Sequence, residues 1–401
     1  MKSGGKENTM SFITDYDQRT AWKYQPIQGT FHTHPGLTGK VRPDGTYAPF
    51  PGSTVVFRAG RTCRQVIDQM QRVLFHHLNC TQMLADPLPV STVHMTLHDL
   101  ISPETASGSK ETYEQEVEDS LLRAAEEVEN IRKDCAGRKI MMTPDRIVNM
   151  VSKSLVLLLR PQTEEDGELL EAMYHRFDGI RALPYPLTPH ITLAYFKQGV
   201  LDGDMLGEAV DLAQIRQGKK PVFEFDPEAL TAQRFSDMQT YRDIPARLCV
   251  CCDGGLNRSV LAANILNHMA KKRNLPLVAE ARACCRGTEG RPVPDEVWKT
   301  LEEHGICPDK SRSAARYLEE KEVSWFTGFA GISEGALNRF ARVSIPDWQV
   351  YDATRRFFGV RDPEYGAITC EQAFEELYER AGKYLDAFQA EELKARQKES
   401  V

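Results

Sequence analysis

Long apolar runs are missing from this chain. The strongest, Leu155-Val-Leu-Leu-Leu159, falls far short of the roughly 20 residues needed to span a bilayer as a helix. Cysteine is scarce. Ten in 401 residues are too few for a disulfide-built fold, and the adjacent pairs Cys251-Cys252 and Cys284-Cys285 fit no regular bridging frame. No Cys/His set has zinc-ligand spacing; His32-Thr-His34 stands without a nearby cysteine and reads as loop. Neither a metal nor a cofactor is expected. Excess positive charge is lacking too. A net charge of -7 argues against a general nucleic-acid coat and leaves room for a local basic pocket. The opening residues, Met1-Lys-Ser-Gly-Gly-Lys-Glu-Asn8, lack the apolar segment of a secretory leader. These absences point to a globular protein of the reducing cytoplasm with no membrane partner, and the length suggests two domains.

The Gly-, Pro- and Thr-rich residues 1–50 read as an irregular arm. Beyond them, strand and helix patterns alternate. Strands are expected at Ser53–Phe57, around His94, from Val148 to Leu159, around His190 and from Lys220 to Phe225. Helices are expected from Thr62 to Leu84, with Val66, Met70, Val73 and Leu74 on one face, from Glu111 to Ile131 and from Glu164 to Phe177. Strand, helix, strand, helix thus occurs twice, as two similar halves of an α+β domain. The pattern breaks at Ser236–Pro245, and an α/β unit begins with the strand Arg247–Cys251 and the helix Ser259–Lys272. Further helices are expected at Val293–His304 and Glu371–Lys394. The boundary is placed at 243, giving domains 1–243 and 244–401.

The chemistry starts with a repeat. Ser91-Thr-Val-His-Met-Thr-Leu97 is echoed by Pro189-His-Ile-Thr-Leu-Ala-Tyr-Phe196. In a strand, residues i and i+2 share a face, so His94 with Thr96, and His190 with Thr192, each present an imidazole beside a hydroxyl. A His-x-Thr-Leu arises by chance in about one chain in twenty of this length, so a pair is a rare accident. Two such pairs from two strands of one sheet would surround a phosphate. One histidine would activate water and the other protonate the leaving oxygen, with the hydroxyls donating to the non-bridging oxygens. Which histidine does which is open. His98, two residues beyond Thr96, is a candidate third group.

The second constellation is Cys252-Asp-Gly-Gly-Leu-Asn-Arg258-Ser259, between an apolar strand and a helix. The N–H groups of a Gly-rich turn at a helix N-terminus form an anion cradle. The same positive end should lower the Cys252 thiol pKa. Arg258 can fork onto phosphoryl oxygens, and Ser259 can stabilise the departing thiolate. Cys285-Arg-Gly-Thr-Glu-Gly-Arg291 has the same spacing without a strand–turn–helix context, and is not expected to act.

The paired His-x-Thr-Leu strands, with Gly45-Thr-Tyr-Ala-Pro-Phe-Pro-Gly-Ser-Thr-Val-Val-Phe57, resemble the 2H phosphoesterase superfamily over about residues 15–242. The resemblance implies a duplicated α+β domain in which His94, Thr96, His190 and Thr192 form the catalytic set. It would act without metal on cyclic phosphates or RNA-type diesters. The stretch from Arg247 to Leu266, with Gly290-Arg-Pro-Val-Pro294, Leu301-Glu-Glu-His-Gly-Ile306, Ser311-Arg-Ser-Ala-Ala-Arg-Tyr-Leu318 and Val360-Arg-Asp-Pro-Glu-Tyr-Gly366, is similar to low-molecular-weight protein-tyrosine phosphatases over about residues 245–390. That likeness implies a parallel-sheet α/β domain, Cys252 as nucleophile with Arg258, and Asp362 as general acid, Asp347 being the competing candidate. Substrate contacts would fall to Asp253, Gly254, Gly255, Leu256, Asn257, Ser259 and Tyr365. The chain departs from that family's pattern at Gly255, usually Asn, and at Asn257, usually Cys. Asp253 adds a negative charge beside the nucleophile.

The expected function is a bifunctional phosphoesterase acting on a nucleotide, a cyclic phosphate or an RNA end: diester opening at the first site, monoester removal at the second. One alternative is a tyrosine phosphatase of phosphorylated proteins whose first domain only binds nucleotides or RNA ends. A weak phosphate sensor is the other.

Overall fold

Ser53–Phe57 and Leu155–Leu159 are buried along their whole length and become inner strands of two antiparallel sheets. The computed structural model describes residues 12–399 apart from 22, 26, 78–79, 107–108, 216–220, 311–312 and 367. Lys220, Ser311 and Arg312, part of the segments named above, thus lie outside the described residues. The chain divides into two compact units, Met1–Arg242 and Asp243–Val401. Among the described residues no helix is long and apolar enough to cross a membrane.

The first unit runs α1 (Phe12–Ala21), β1 (Tyr24–Gln25), β2 (Thr30–His32), β3 (Gly52–Arg58), α2 (Arg61–His76), α3 (Cys80–Met83), β4 (His94–Asp99), α4 (Lys110–Asp134), β5 (Ile140–Met150), β6 (Ser154–Pro161), α5 (Glu164–His175), β7 (His190–Tyr195), β8 (Val200–Asp202), α6 (Gly203–Ile215), β9 (Phe223–Phe225) and β10 (Leu230–Phe235), and the chain then enters β11 (Tyr241–Ile244). One sheet has the order β11-β10-β3-β4. The other is β1-β5-β6-β7, with β9 also on β5, and β2 pairs β8 separately. The units β3-α2-β4 and β6-α5-β7 therefore end in equivalent edge strands. Helix α5 starts at a reciprocal cap between Thr163 and Asp166, which satisfies two otherwise orphaned N–H groups.

Three expectations are corrected here. The single strand from Val148 to Leu159 is a hairpin, β5 and β6. It reverses through Val151 and Ser152 at φ 45° and 53°, and Asn149 Oδ1 accepts the Ser152 N–H at 3.0 Å. A turn built without glycine is invisible to an apolar-run reading. The helix from Thr62 to Leu84 stops at His76, where His77 turns extended; its buried face carries Ile67 rather than Val66. The stretch read as a break contains strand β11, just after the unforeseen β10.

In the second unit, β12 (Ala246–Cys252) lies between β13 (Leu277–Ala283) and β14 (Gly328–Gly331) in an all-parallel sheet. Its residues alternate between two cores. Leu248, Val250 and Cys252 face a cluster with α7 (Arg258–Lys272), α8 (Asp295–Glu303) and α11 (Cys370–Glu399). Cys249 and Cys251 face Phe326, Phe329 and Phe340, the last on α9 (Glu334–Arg342). Helix α10 (Asp347–Phe357) packs along β14. A strand buried on both faces reads as a continuous apolar run, and its carboxyl end is where such sheets place ligands.

Candidate active sites

In the first unit β4 and β7 pack against each other, but each is the edge of its own sheet. The two His-x-Thr pairs thus come from two sheets, not from one as expected. A cleft of about 350 Å³ has His94, Thr96, His190 and Thr192 in its lining. The two histidines are fixed alike. His94 Nδ1 lies 2.6 Å from the Thr92 carbonyl, and His190 Nδ1 lies 2.7 Å from the Thr188 carbonyl. A carbonyl only accepts, so each Nδ1 donates, and Nε2 is the nitrogen of each ring that can exchange a proton with a substrate.

The register is matched as well. Thr96 pairs with Val56 and Thr192 with Val156, and each ladder slips by one residue immediately afterwards. A bulge of this kind inserts one residue and reverses the alternation of faces. His98 is consequently turned inward and is fully buried. Its ring packs on Tyr174 and Phe177 at 4.9 and 5.7 Å, and its Nε2 stands 3.8 Å from Asp178 Oδ1, an ion-pair contact on the side away from the cleft lining. His98 is not a cleft residue. Asp99 takes that place, and Tyr195 takes the matching place on β7.

Sequence reasoning also missed the cleft's lysines and tyrosines. Lys23 Nζ donates to Thr188 Oγ1 at 2.9 Å and lies over the Tyr185 ring, while Tyr185 donates to Asp99 Oδ2 at 2.8 Å. Tyr241 packs on the His94 ring at 4.9 Å. Burial first, then the Lys23 ammonium, push His190 down to about 4. Only the position five residues after each histidine carried a usable signal, and it needed the bulge to be known.

In the second unit Cys252 ends β12 and Arg258 opens α7, so the intervening loop sits at the carboxyl end of the central strand. The Gly255 N–H donates to Cys252 Sγ at 3.3 Å, and Ser259 Oγ lies 3.2 Å from the same sulfur. Gly255 has φ +66°, and a Cβ there would meet Ala283 at 2.8 Å. Glycine at this position is therefore demanded by the close approach of β13. Leu256 is buried in the core and contributes only backbone to the loop, while Gly254 lies beside it and Glu364. Asn257 Nδ2 donates to Asp362 Oδ1 at 3.4 Å.

Arg258 is clasped. Its guanidinium donates to the Val360 carbonyl at 3.0 Å and to Asp253 Oδ2 at 2.8 Å, and stands 2.6 Å from Asp362 Oδ2. The other Asp253 oxygen accepts from Ser333 Oγ at 2.9 Å. The thiol differs from expectation. Burial raises Cys252, opposed by the Ser259 hydroxyl, by Arg258 and by the Ser259 and Gly255 N–H groups. The physical reason is that the sulfur ends β12 inside the core cluster, where desolvation outweighs the donors around it. Asp362 thus reaches the loop. Asp347 instead starts α10. Cys285 is exposed and precedes a 3-10 turn, with no cradle. Tyr365 closes the turn Pro363–Tyr365; its side chain lies outside the described ones.

No family profile and no curated protein matches the chain. Among solved structures, it is similar to a low-molecular-weight protein tyrosine phosphatase from T. tengcongensis (23% identity, TM-score 0.32), over 35% of this chain and 99% of that one. It is similar to the YwlE arginine phosphatase from Geobacillus stearothermophilus (20%, 0.31), over 37% and 97%. A conserved protein of unknown function from Agrobacterium tumefaciens (18%, 0.38) aligns over 57% of this chain and 97% of its own.

Proposed function

We propose that the chain is a two-site phosphoester hydrolase, a 2H-type cyclic phosphodiesterase joined to a tyrosine-phosphatase-like phosphomonoesterase. One observation carries the first half: two imidazoles, each with Nδ1 tied to a carbonyl and each beside a threonine, line the same cleft. His190, kept neutral by burial and Lys23, is the general base. Water attacks phosphorus, its proton passes to His190 Nε2, the ester P–O bond breaks, and the leaving oxygen takes a proton from His94 Nε2. Thr96 and Thr192 donate to the non-bridging oxygens.

The resulting monoester is the substrate class of the second site. Phosphate displaces Asp253 and Asp362 from Arg258. The Cys252 thiol passes its proton to a phosphoryl oxygen of the bound dianion, its sulfur attacks phosphorus, the ester P–O bond breaks, and the leaving oxygen takes a proton from the protonated Asp362 carboxyl. Water hydrolyses the phosphocysteine, returning a proton to Asp362 and releasing inorganic phosphate. A second reading, a phosphate sensor, is favoured by the clasp on Arg258 and the raised thiol. Incubation with nucleoside 2′,3′-cyclic phosphates decides. Wild type is expected to release inorganic phosphate, and Cys252→Ser to stop at the monoester. Identical products from both, with no phosphate released, sink the two-step reading. Failure to hydrolyse an aryl phosphate between pH 5 and 8 favours the sensor.

A further inference from the structure

The cleft's lining carries three lysines, Lys23, Lys40 and Lys153, against two carboxylates, Asp99 and Glu104. Lys23 sits at the His190 end, bonded to the residue whose carbonyl orients that ring. Lys40 and Lys153 form a separate pair around Glu104, at 3.7 and 2.9 Å. Both lysines are largely buried, at 18% and 17% side-chain exposure, whereas Glu104 is 36% exposed. Lys40 also lies over the Phe50 ring at 4.6 Å. Asp99 is the carboxylate that acts on Lys23 and acts on Lys40 more weakly than Glu104 does, so the cleft's one surplus positive charge falls on the partly desolvated Lys40–Lys153 wall, where an anion is held strongly.

The backbone beneath Lys153 is strained, an independent sign. Val151 and Ser152, just before it, adopt φ 45° and 53°, a region that a β-branched residue rarely occupies. The turn is held there by the fully buried Asn149, which accepts the Ser152 N–H, and by the His34 N–H, which donates to the Ser152 carbonyl at 2.9 Å. Strain maintained by its surroundings beside a cleft is characteristic of functional positions. Here it delivers an ammonium to the cleft wall.

We infer that Lys40 and Lys153 form a second anion site, which takes a phosphate on the same small molecule but remote from the reacting phosphorus. The substrate class is then a nucleotide with a cyclic phosphate at one end and a 5′-phosphate or pyrophosphate at the other. A volume of about 350 Å³ lies at the lower end of small-molecule sites and suits a mononucleotide rather than a polymer. Glu104 is the placeholder that keeps the two cations together until the phosphate arrives. The inference rests on the cyclic-phosphate reading of this cleft.

The test measures binding and turnover separately. Calorimetry compares 2′-AMP with adenosine 2′,5′-bisphosphate, and kinetics compare adenosine 2′,3′-cyclic phosphate with its 5′-phosphorylated form. Wild type is expected to favour the 5′-phosphorylated ligand by about tenfold or more. Lys153→Gln and Lys40→Gln should each bring that ratio toward one. Glu104→Gln, which frees both lysines, should raise it. A ratio of one in wild type, or one unchanged in both lysine variants, overturns the second site. Turnover of both nucleotides at equal KM leaves the diesterase standing and removes this inference. A preserved binding ratio with no turnover does the reverse. Tighter binding of a dinucleotide ending in the cyclic phosphate overturns the small-ligand assignment.

Discussion

If His190 is the general base, the acid limb of kcat/KM for cyclic phosphate opening should lie near pH 4, not near the ordinary imidazole value of 6.5. A base works only unprotonated. At pH 5.5 an ordinary imidazole is about 90% protonated, whereas one held at about 4 is only about 3% protonated. The wild-type rate should therefore persist to pH 5 and fall below it. The alkaline limb belongs to the general acid. Of the three causes that lower it, burial is the largest, Lys23 the second and the His94 ring the last, so Lys23→Met should move the limb upward by about one pH unit and no further. The readout is the position of the limb, not its height, so lost substrate binding does not confuse it. Initial rates with a nucleoside 2′,3′-cyclic phosphate from pH 3.5 to 8, in buffers of constant ionic strength, suffice. A wild-type acid limb at 6–7 that stays put in Lys23→Met would refute the assignment of His190 as base.

Three further outcomes are expected. Asp253→Asn should lower the KM for an aryl phosphate by about three- to tenfold, since it removes one of the carboxylates competing for Arg258; an unchanged or higher KM means the clasp is not what the substrate displaces. Gly255→Ala should destabilise the second unit by about 2–4 kcal/mol in denaturant unfolding, from its positive φ and the contact with Ala283, and a cost below about 0.5 kcal/mol would show that β13 yields there. His98→Leu should leave cyclic-phosphate turnover within about twofold, because His98 does not line the cleft and gives up only the 3.8 Å contact with Asp178; a tenfold loss would return His98 to the site.

Both candidate sets could be found in the sequence because each depends on short-range geometry. An i, i+2 spacing in a strand needs no knowledge of the partner strand, so the His94–Thr96 and His190–Thr192 pairings with one cleft were readable. The loop from Cys252 to Ser259 carries its own strand and helix signals. What depends on long-range pairing was not readable. Whether β4 and β7 share a sheet is decided by their neighbours, and the bulges that exclude His98 and admit Asp99 exist only in the pairing with β3. Lys23, Lys40 and Lys153 come from three distant places in the chain with no shared local pattern. The raised Cys252 thiol was hidden for a similar reason. It depends on burial against α7, α8 and α11, which only the tertiary fold supplies.

The two ladder slips have a mechanistic consequence. If the two His-x-Thr pairs act on one phosphorus as proposed, a site built from two matching pairs treats both apical oxygens alike, and so cannot by itself tell incoming water from departing alcohol. Direction has to come from whatever breaks the equivalence. After the slips, the corresponding positions hold a carboxylate on one side and a phenol on the other, Asp99 and Tyr195, while Lys23 biases one imidazole. Exchanging those two side chains is thus a way to ask whether the polarity of the proposed reaction resides outside the two His-x-Thr pairs.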